Sequence, residues 1–155
     1  MNGKLLGIDH GIKRIGIAVS DASGLVAREL TIIKRKSKDE DFERINRIAL
    51  EQKVVAFVVG VPDNDSKQDA YSQADTVRRW IEHFATTTTL PIILWDEQLS
   101  SIDAQELARQ QRRKPSEPID DLAARIILQS YLDAVRDGLA APEIFSSHRP
   151  TEFGE

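Results

Sequence analysis

Residues 54–60 read VVAFVVG, a run without one polar side chain, and this run limits the architecture more than any other feature of the chain. A strand with one wet face alternates apolar and polar residues. A strand apolar at every position must be covered on both sides, as at the centre of a parallel sheet. Gly60-Val61-Pro62 ends it, because proline has no N–H with which to continue a central ladder. A second run of this kind, Pro91 to Trp95, leads into Asp96-Glu97.

Upstream, Lys4 to Asp9 and Arg14 to Ser20 are short apolar segments joined by His10-Gly11-Ile12-Lys13, the pattern of a hairpin. Asp21 to Gly24 forms a further turn, and Leu25 to Lys34 supplies a third strand. Helical spacing of apolar residues marks Asp39 to Lys53 (Phe42, Ile45, Ile48, Ala49) and Asp69 to Phe84 (Ala70, Ala74, Val77, Trp80, Ile81, Phe84). A third helix runs to Gln110 from a cap at Ser100 or Ser101. A last one covers Asp120 to Arg136, with Leu122, Ala123, Ile126, Ile127 and Leu132 inward. This order predicts an α/β fold: a mixed five-stranded sheet, three antiparallel strands followed by parallel ones, flanked by helices. Residues 1–137 are expected to form one domain, and 138–155, which show little pattern, a disordered tail.

The chain has 155 residues, no cysteine and three scattered histidines. Disulfides, thiolate zinc sites and cysteine nucleophiles are excluded, and metal chemistry falls to carboxylates. No apolar run reaches the length of a membrane span, and the N-terminus lacks the pattern of a secretion signal, so a cytoplasmic protein with no membrane partner is expected. The net charge of −4 argues weakly against a nucleic-acid partner. The bases are nevertheless bunched, at Lys34-Arg35-Lys36-Ser37-Lys38 and at Arg109-Gln110-Gln111-Arg112-Arg113-Lys114, so positive patches coexist with an acidic total.

Three acids far apart in sequence fall at element ends: Asp9 and Glu97 close strands, and Asp120 opens the last helix. Ligands of open α/β sheets bind at such ends, and oxygen donors suit Mg²⁺ or Mn²⁺. Alternation places Asp9 on the same side of its strand as Gly7, so another element can approach closely beneath the acid. Asp120, Ala123, Ala124, Ile127 and Tyr131 share one helical face, whose alanines let that turn sit tight on the sheet. Each acid alone also fits an ordinary role, as a turn aspartate, a solvated loop acid or a helix cap, and Asp121 competes with Asp120.

The segments LLGIDHGIKRIGIAVSD, AFVVGVP, LPIILWDEQLSSIDA and PIDDLAARIILQSYLD resemble, in order and spacing, the YqgF family, also described as Holliday junction resolvases. The resemblance covers Lys4 to Asp133. It implies a ribonuclease H-like fold related to RuvC, dependence on Mg²⁺ or Mn²⁺, and a cytoplasmic role in maturing the 5′ end of 16S ribosomal RNA. Carried over by position, the family's acids fall on Asp9, Glu97 and Asp120, the last because it directly follows Ile119. Two sites depart from the family's pattern: Gln98 stands where an arginine is common, and Asp63-Asn64-Asp65-Ser66 replaces its usual loop.

The expected chemistry is a two-metal phosphodiester hydrolysis with Asp9, Glu97 and Asp120 as catalytic metal ligands. Arg112, Arg113 and Lys114 are expected to clamp phosphates with help from Lys13 and Arg14. Precursor ribosomal RNA is the favoured substrate, four-way DNA the alternative, and the protein a monomer or homodimer. A non-catalytic RNA-binding assembly factor is a second reading. The Asp9-His10-Gly11 match to actin-like ATPases and sugar kinases is weak, since those enzymes need two domains. Gly7, Gly11 and Gly16 lack the spacing of a dinucleotide-binding loop.

Overall fold

The computed structural model describes residues 3–62, 73–97, 100–139 and 143–145, with backbone alone at 97 and 100–102. Strands β1 (Lys4–His10), β2 (Arg14–Ser20) and β3 (Ala27–Lys34) form the opening meander. Then follow α1 (Lys38–Gln52), β4 (Val54–Pro62), α2 (Gln73–Ala85), β5 (Ile92–Glu97), α3 (Ser100–Gln110), α4 (Asp120–Arg136) and β6 (Glu143–Phe145). One sheet has the order β3-β2-β1-β4-β5-β6. β1, β4 and β5 run parallel; the pairs β1–β2, β2–β3 and β5–β6 are antiparallel. Among the described residues no helix is long and apolar enough to cross a membrane.

The doubly apolar run became the strand it demanded. Phe57 and Val59 of β4 enter one core, and Ala56 and Val58 the other. On the first face α1 and α2 supply Phe42, Ile45, Val77, Trp80, Ile81 and Phe84, an aromatic-rich layer in which Trp80 and Phe84 stack with centroids 5.4 Å apart. On the second face α4 lies alone over small residues, Ala18, Ala27 and Ala56 among them. α3 packs on α4, through Ala104, Ala108, Leu122 and Ala123.

The strand count and the start of β3 differ from the sequence expectation. The sheet has six strands rather than five, because Glu143–Phe145 pairs with Ile92–Leu94. Arg78 on α2 holds Glu143 through two bonds of 2.9 and 3.0 Å. A three-residue edge strand is too short to carry a periodicity that could reveal it. β3 starts at Ala27 and not at Leu25, because the N–H groups of Leu25 and Val26 donate to Asp21 Oδ1 at 2.9 and 3.0 Å and so belong to the turn. α2 is described from Gln73, which leaves 69–72, with Ala70, outside the described residues. α1 follows its signals closely. Ser37 Oγ accepts the Glu40 N–H, three acids lie in the first turn, and Lys53 ends the helix in the left-handed conformation at φ 59°.

His10 closes β1 on the aromatic face, its ring 4.8 Å from that of Trp80. Burial, reinforced by the charges of Arg35 and Lys38, pushes its pKa from the ordinary 6.5 to about 4. Between those values the unfolded chain binds a proton at His10 that the folded chain does not. This contribution to stability is therefore full above pH 6.5 and is lost as the pH falls toward 4. In EDTA, urea denaturation should show a loss from this group of roughly 3 kcal/mol at most over that window, and His10→Phe should flatten it. Parallel pH profiles for the two proteins would show that folding does not lower the pKa of His10.

Candidate functional site

Gly16 is the cross-strand partner of Asp9, and the start of α4 lies directly over it. A Cβ added at Gly16 would fall 1.8 Å from the Asp120 carbonyl oxygen and 2.9 Å from the Asp121 nitrogen. Further along the same face, a Cβ at Gly7 would fall 2.8 Å from Leu128 Cβ and 3.1 Å from the Ala124 carbonyl oxygen. Helix backbone thus meets strand backbone at two points, which only a position without a side chain permits. Asp9, at the end of β1, and Asp120, at the start of α4, consequently line one cleft of about 720 Å³.

Asp120 and its neighbour Asp121 have separate partners. Asp120 Oδ1 accepts the Arg14 Nε–H at 3.0 Å, and its Oδ2 lies 3.4 Å from the point where a Gly11 Cβ would be. Asp121 is buried and takes both arms of Arg113, at 2.8 and 2.9 Å, together with the Leu122 N–H at 2.9 Å. This bidentate bond to Asp121 raises the Arg113 pKa. The Pro118 carbonyl accepts a further bond from Arg113 at 3.0 Å. The two acids point to different surroundings: Asp121 ties the 111–118 loop to α4, and Asp120 faces the cleft.

Of the expected phosphate contacts, Arg14, Arg113 and Lys114 line the cleft, while Lys13 and Arg112 are exposed outside that lining. Arg113 has its guanidinium committed to Asp121, so it shapes the loop rather than presenting a free charge. Arg112 turns the chain with φ 61°, a left-handed conformation unusual for a residue with a side chain. Arg109 and Gln105 join the cleft from α3. The spacing that could have marked them is one helical turn: residues 105 and 109 share a face of α3. Gln111 and Arg125 both bond Glu29, at 2.8 and 3.1 Å, and so tie the loop and α4 to β3.

Glu97 ends β5, its backbone paired with Pro62. Position 97 has the parity of Ile93, which packs in the α4-facing core, and of Trp95, whose Nε1–H donates to Ser130 on α4 at 3.1 Å. Gln98, the 63–66 loop and the caps at Ser100 and Ser101 lie outside the described residues or side chains.

Whether the residues suit a divalent metal can be asked of the donors themselves. Asp9 and Asp120 offer oxygen alone, and the chain contains no cysteine to favour a softer ion. Glycine at position 11 leaves room beside Asp120 Oδ2. Among the described residues no three His, Asp or Glu side chains gather closely enough to hold a metal. Two carboxylates suit Mg²⁺ or Mn²⁺ as a partial set.

An antiparallel hairpin feeding parallel crossovers, with a late helix laid across the first strands, gives a mixed α/β fold like that of RuvC. RuvC of Thermus thermophilus in complex with a Holliday junction substrate superposes with a TM-score of 0.62 at 18% identity, over 90% of this chain and 99% of that one. The fowlpox virus resolvase bound to Holliday junction DNA gives 0.54 at 15% identity, over 85% and 98%. Identities this low speak for the fold alone. At the sequence level the RuvX family profile, described as Holliday junction resolvase, matches residues 3–134. A Thermoanaerobacter pseudethanolicus protein named "Putative pre-16S rRNA nuclease" is 44% identical over 86% of this chain and 99% of its own length. A Symbiobacterium thermophilum protein of the same name is 41% identical, over 83% and 90%. The chain belongs to the RuvX (YqgF) family.

The seating of α4 is testable. Gly16→Ala should cost about 1–3 kcal/mol through overpacking, a melting temperature lower by roughly 2–12 °C. Gly24→Asn, at a left-handed turn position with nothing within 4 Å, should change it little. Equal melting temperatures for Gly16→Ala and wild type would mean that α4 does not rest on β2 as described.

Proposed function

We propose that the cleft is the active site of a cytoplasmic, metal-dependent endonuclease that hydrolyses phosphodiester bonds, acting at the 5′ end of precursor 16S ribosomal RNA. The observation that carries this reading is that Asp9 and Asp120, remote in sequence, line one cleft at the positions where the family resemblance places metal ligands. The names of the similar bacterial proteins supply the substrate.

In this reading Asp9, Glu97 and Asp120 hold Mg²⁺ or Mn²⁺. When bound, the metal supplies the positive charge that polarises the phosphodiester and lets water attack near neutral pH. The protein's part is placement. Asp9 is fixed by its ladder to β2, and Asp120 by the backbone contact of α4 with Gly16. Neither carboxylate depends on a loop for its position, a condition for holding donors within fractions of an ångström of working geometry. Lys114 and Arg109 at the cleft, with Lys13 and Arg112 on the surrounding surface, grip backbone phosphates. Such contacts orient a strand without reading its sequence. Arg113, bonded to Asp121, keeps the loop that carries Arg112 and Lys114 in place.

Asp9→Asn should retain the fold and lose metal-dependent cleavage of labelled precursor RNA by on the order of a hundred-fold or more, since the outer partners of metal ligands alone are worth 10–100-fold. Wild-type rates in Asp9→Asn with Mg²⁺ would rule out the proposed role of this acid. The family description and the likeness to junction-bound RuvC favour one other substrate, four-way DNA. Side-by-side cleavage of a 16S precursor and a synthetic junction should favour the RNA, and faster resolution of the junction would reverse the assignment.

A further inference from the structure

The ion pair between Arg14 and Asp120 has no part in the chemistry proposed above, yet it occupies an oxygen which that chemistry needs. Arg14 Nε donates to Asp120 Oδ1 at 3.0 Å. A guanidinium seated there already balances the carboxylate charge, and it repels a divalent cation approaching the same oxygen. The two partners differ in freedom. The Asp120 side chain is 18% exposed and belongs to a helical turn whose backbone is pressed against Gly16. The Arg14 side chain is 42% exposed, and among the described residues its one hydrogen bond is made through Nε. Its two Nη groups are therefore available to an outside acceptor. The pair opens by moving Arg14, and Asp120 stays.

We propose that Arg14 is the resident counter-ion of Asp120 in the metal-free protein: it competes with the divalent metal and passes to a phosphate oxygen of the nucleic acid when the metal enters. The inference rests on reading the cleft as a metal site. It makes metal and substrate binding mutually supportive. A phosphate that draws Arg14 away vacates Asp120 for the metal, and by linkage the metal frees Arg14 for the phosphate. Arg14 is a positioning residue here, acting on the metal through Asp120.

The test is calorimetric titration of Mn²⁺ alone into the full chain at low salt, without nucleic acid, comparing wild type with Arg14→Gln. Removing a competing cation should tighten Mn²⁺ binding, on the order of five-fold for a partly exposed pair, and the gain should shrink as salt is raised. A residue that only oriented Asp120 would give the opposite sign. Equal or weaker Mn²⁺ binding in Arg14→Gln, beside measurable binding in wild type, overturns the inference and leaves the metal reading standing. Absence of Mn²⁺ binding in both proteins overturns the two together. If Arg14→Gln melts early, Arg14→Lys carries the same test. Its ammonium lacks the Nε donor, so binding should tighten by a smaller factor, and unchanged or weaker binding overturns the inference.

Discussion

The approach of α4 to β2 at Gly16 is the contact on which the rest of the site depends. A helix laid on a sheet normally stands off by the thickness of two layers of side chains. Here the first turn of α4 meets the strand with backbone against backbone, so that even a methyl group at position 16 would overlap the Asp120 carbonyl. Gly7 repeats the arrangement beneath Ala124 and Leu128. With those two points fixed, the tilt of the helix is fixed too, and Leu128, Tyr131 and Leu132 fall onto Leu5, Ala18 and Ala27 to close the second core. Gln129 adds a polar anchor, accepting the Ala27 N–H at 2.8 Å and donating to the Leu25 carbonyl at 2.9 Å. An acid near the end of the domain is thereby delivered to one near its beginning.

Adjacent acids at the start of one helix would repel if both faced the same space. The fold avoids this by sending them in different directions, each to an arginine. Asp121, bound by both arms of Arg113, is a structural acid in low-dielectric surroundings, where an unpaired carboxylate would be costly. Asp120 has a single bond from a half-exposed arginine and borders open space. The first pair is buried and bidentate, the second half-exposed and held by one bond.

Much of this was legible in the sequence, and what was not shares a physical cause. The doubly apolar run at 54–60, the hairpin around Gly11 and the amphipathic α1 are local patterns, and each became the element its pattern demands. The glycine beneath Asp9 and the alanines behind Asp120 also announced a close approach, because a missing side chain is as visible in a sequence as a present one. Partnerships between long charged side chains leave no such trace. Nothing in the string RRK separates Arg113, committed to Asp121, from Arg112 or Lys114, which are exposed. Arg14, grouped with Lys13 by its charge, reaches an acid 106 positions away. Glu143–Phe145 escaped notice because an edge strand so short has its ladder bonds and Arg78 for support, and no hydrophobic rhythm.

The unequal covering of the sheet gives these observations a common logic. One face carries Phe42, Phe57, Trp80 and Phe84, bulky rings that hold α1 and α2 at a distance and contribute mass to the core. The other face has glycine or alanine at positions 7, 16, 18, 27 and 56, and its helix comes close. An aspartate side chain reaches only a few ångströms from its backbone, so an aspartate on a helix can meet one on a strand only where the two backbones nearly touch. The small-residue face meets that condition and the aromatic face does not. His10 and Asp9, neighbours in β1, point to opposite sides of this division. The histidine is buried against Trp80 and kept neutral by its surroundings, while the aspartate opens on the cleft. A single alternation of the strand thus sends one residue to the core and its neighbour to the cleft.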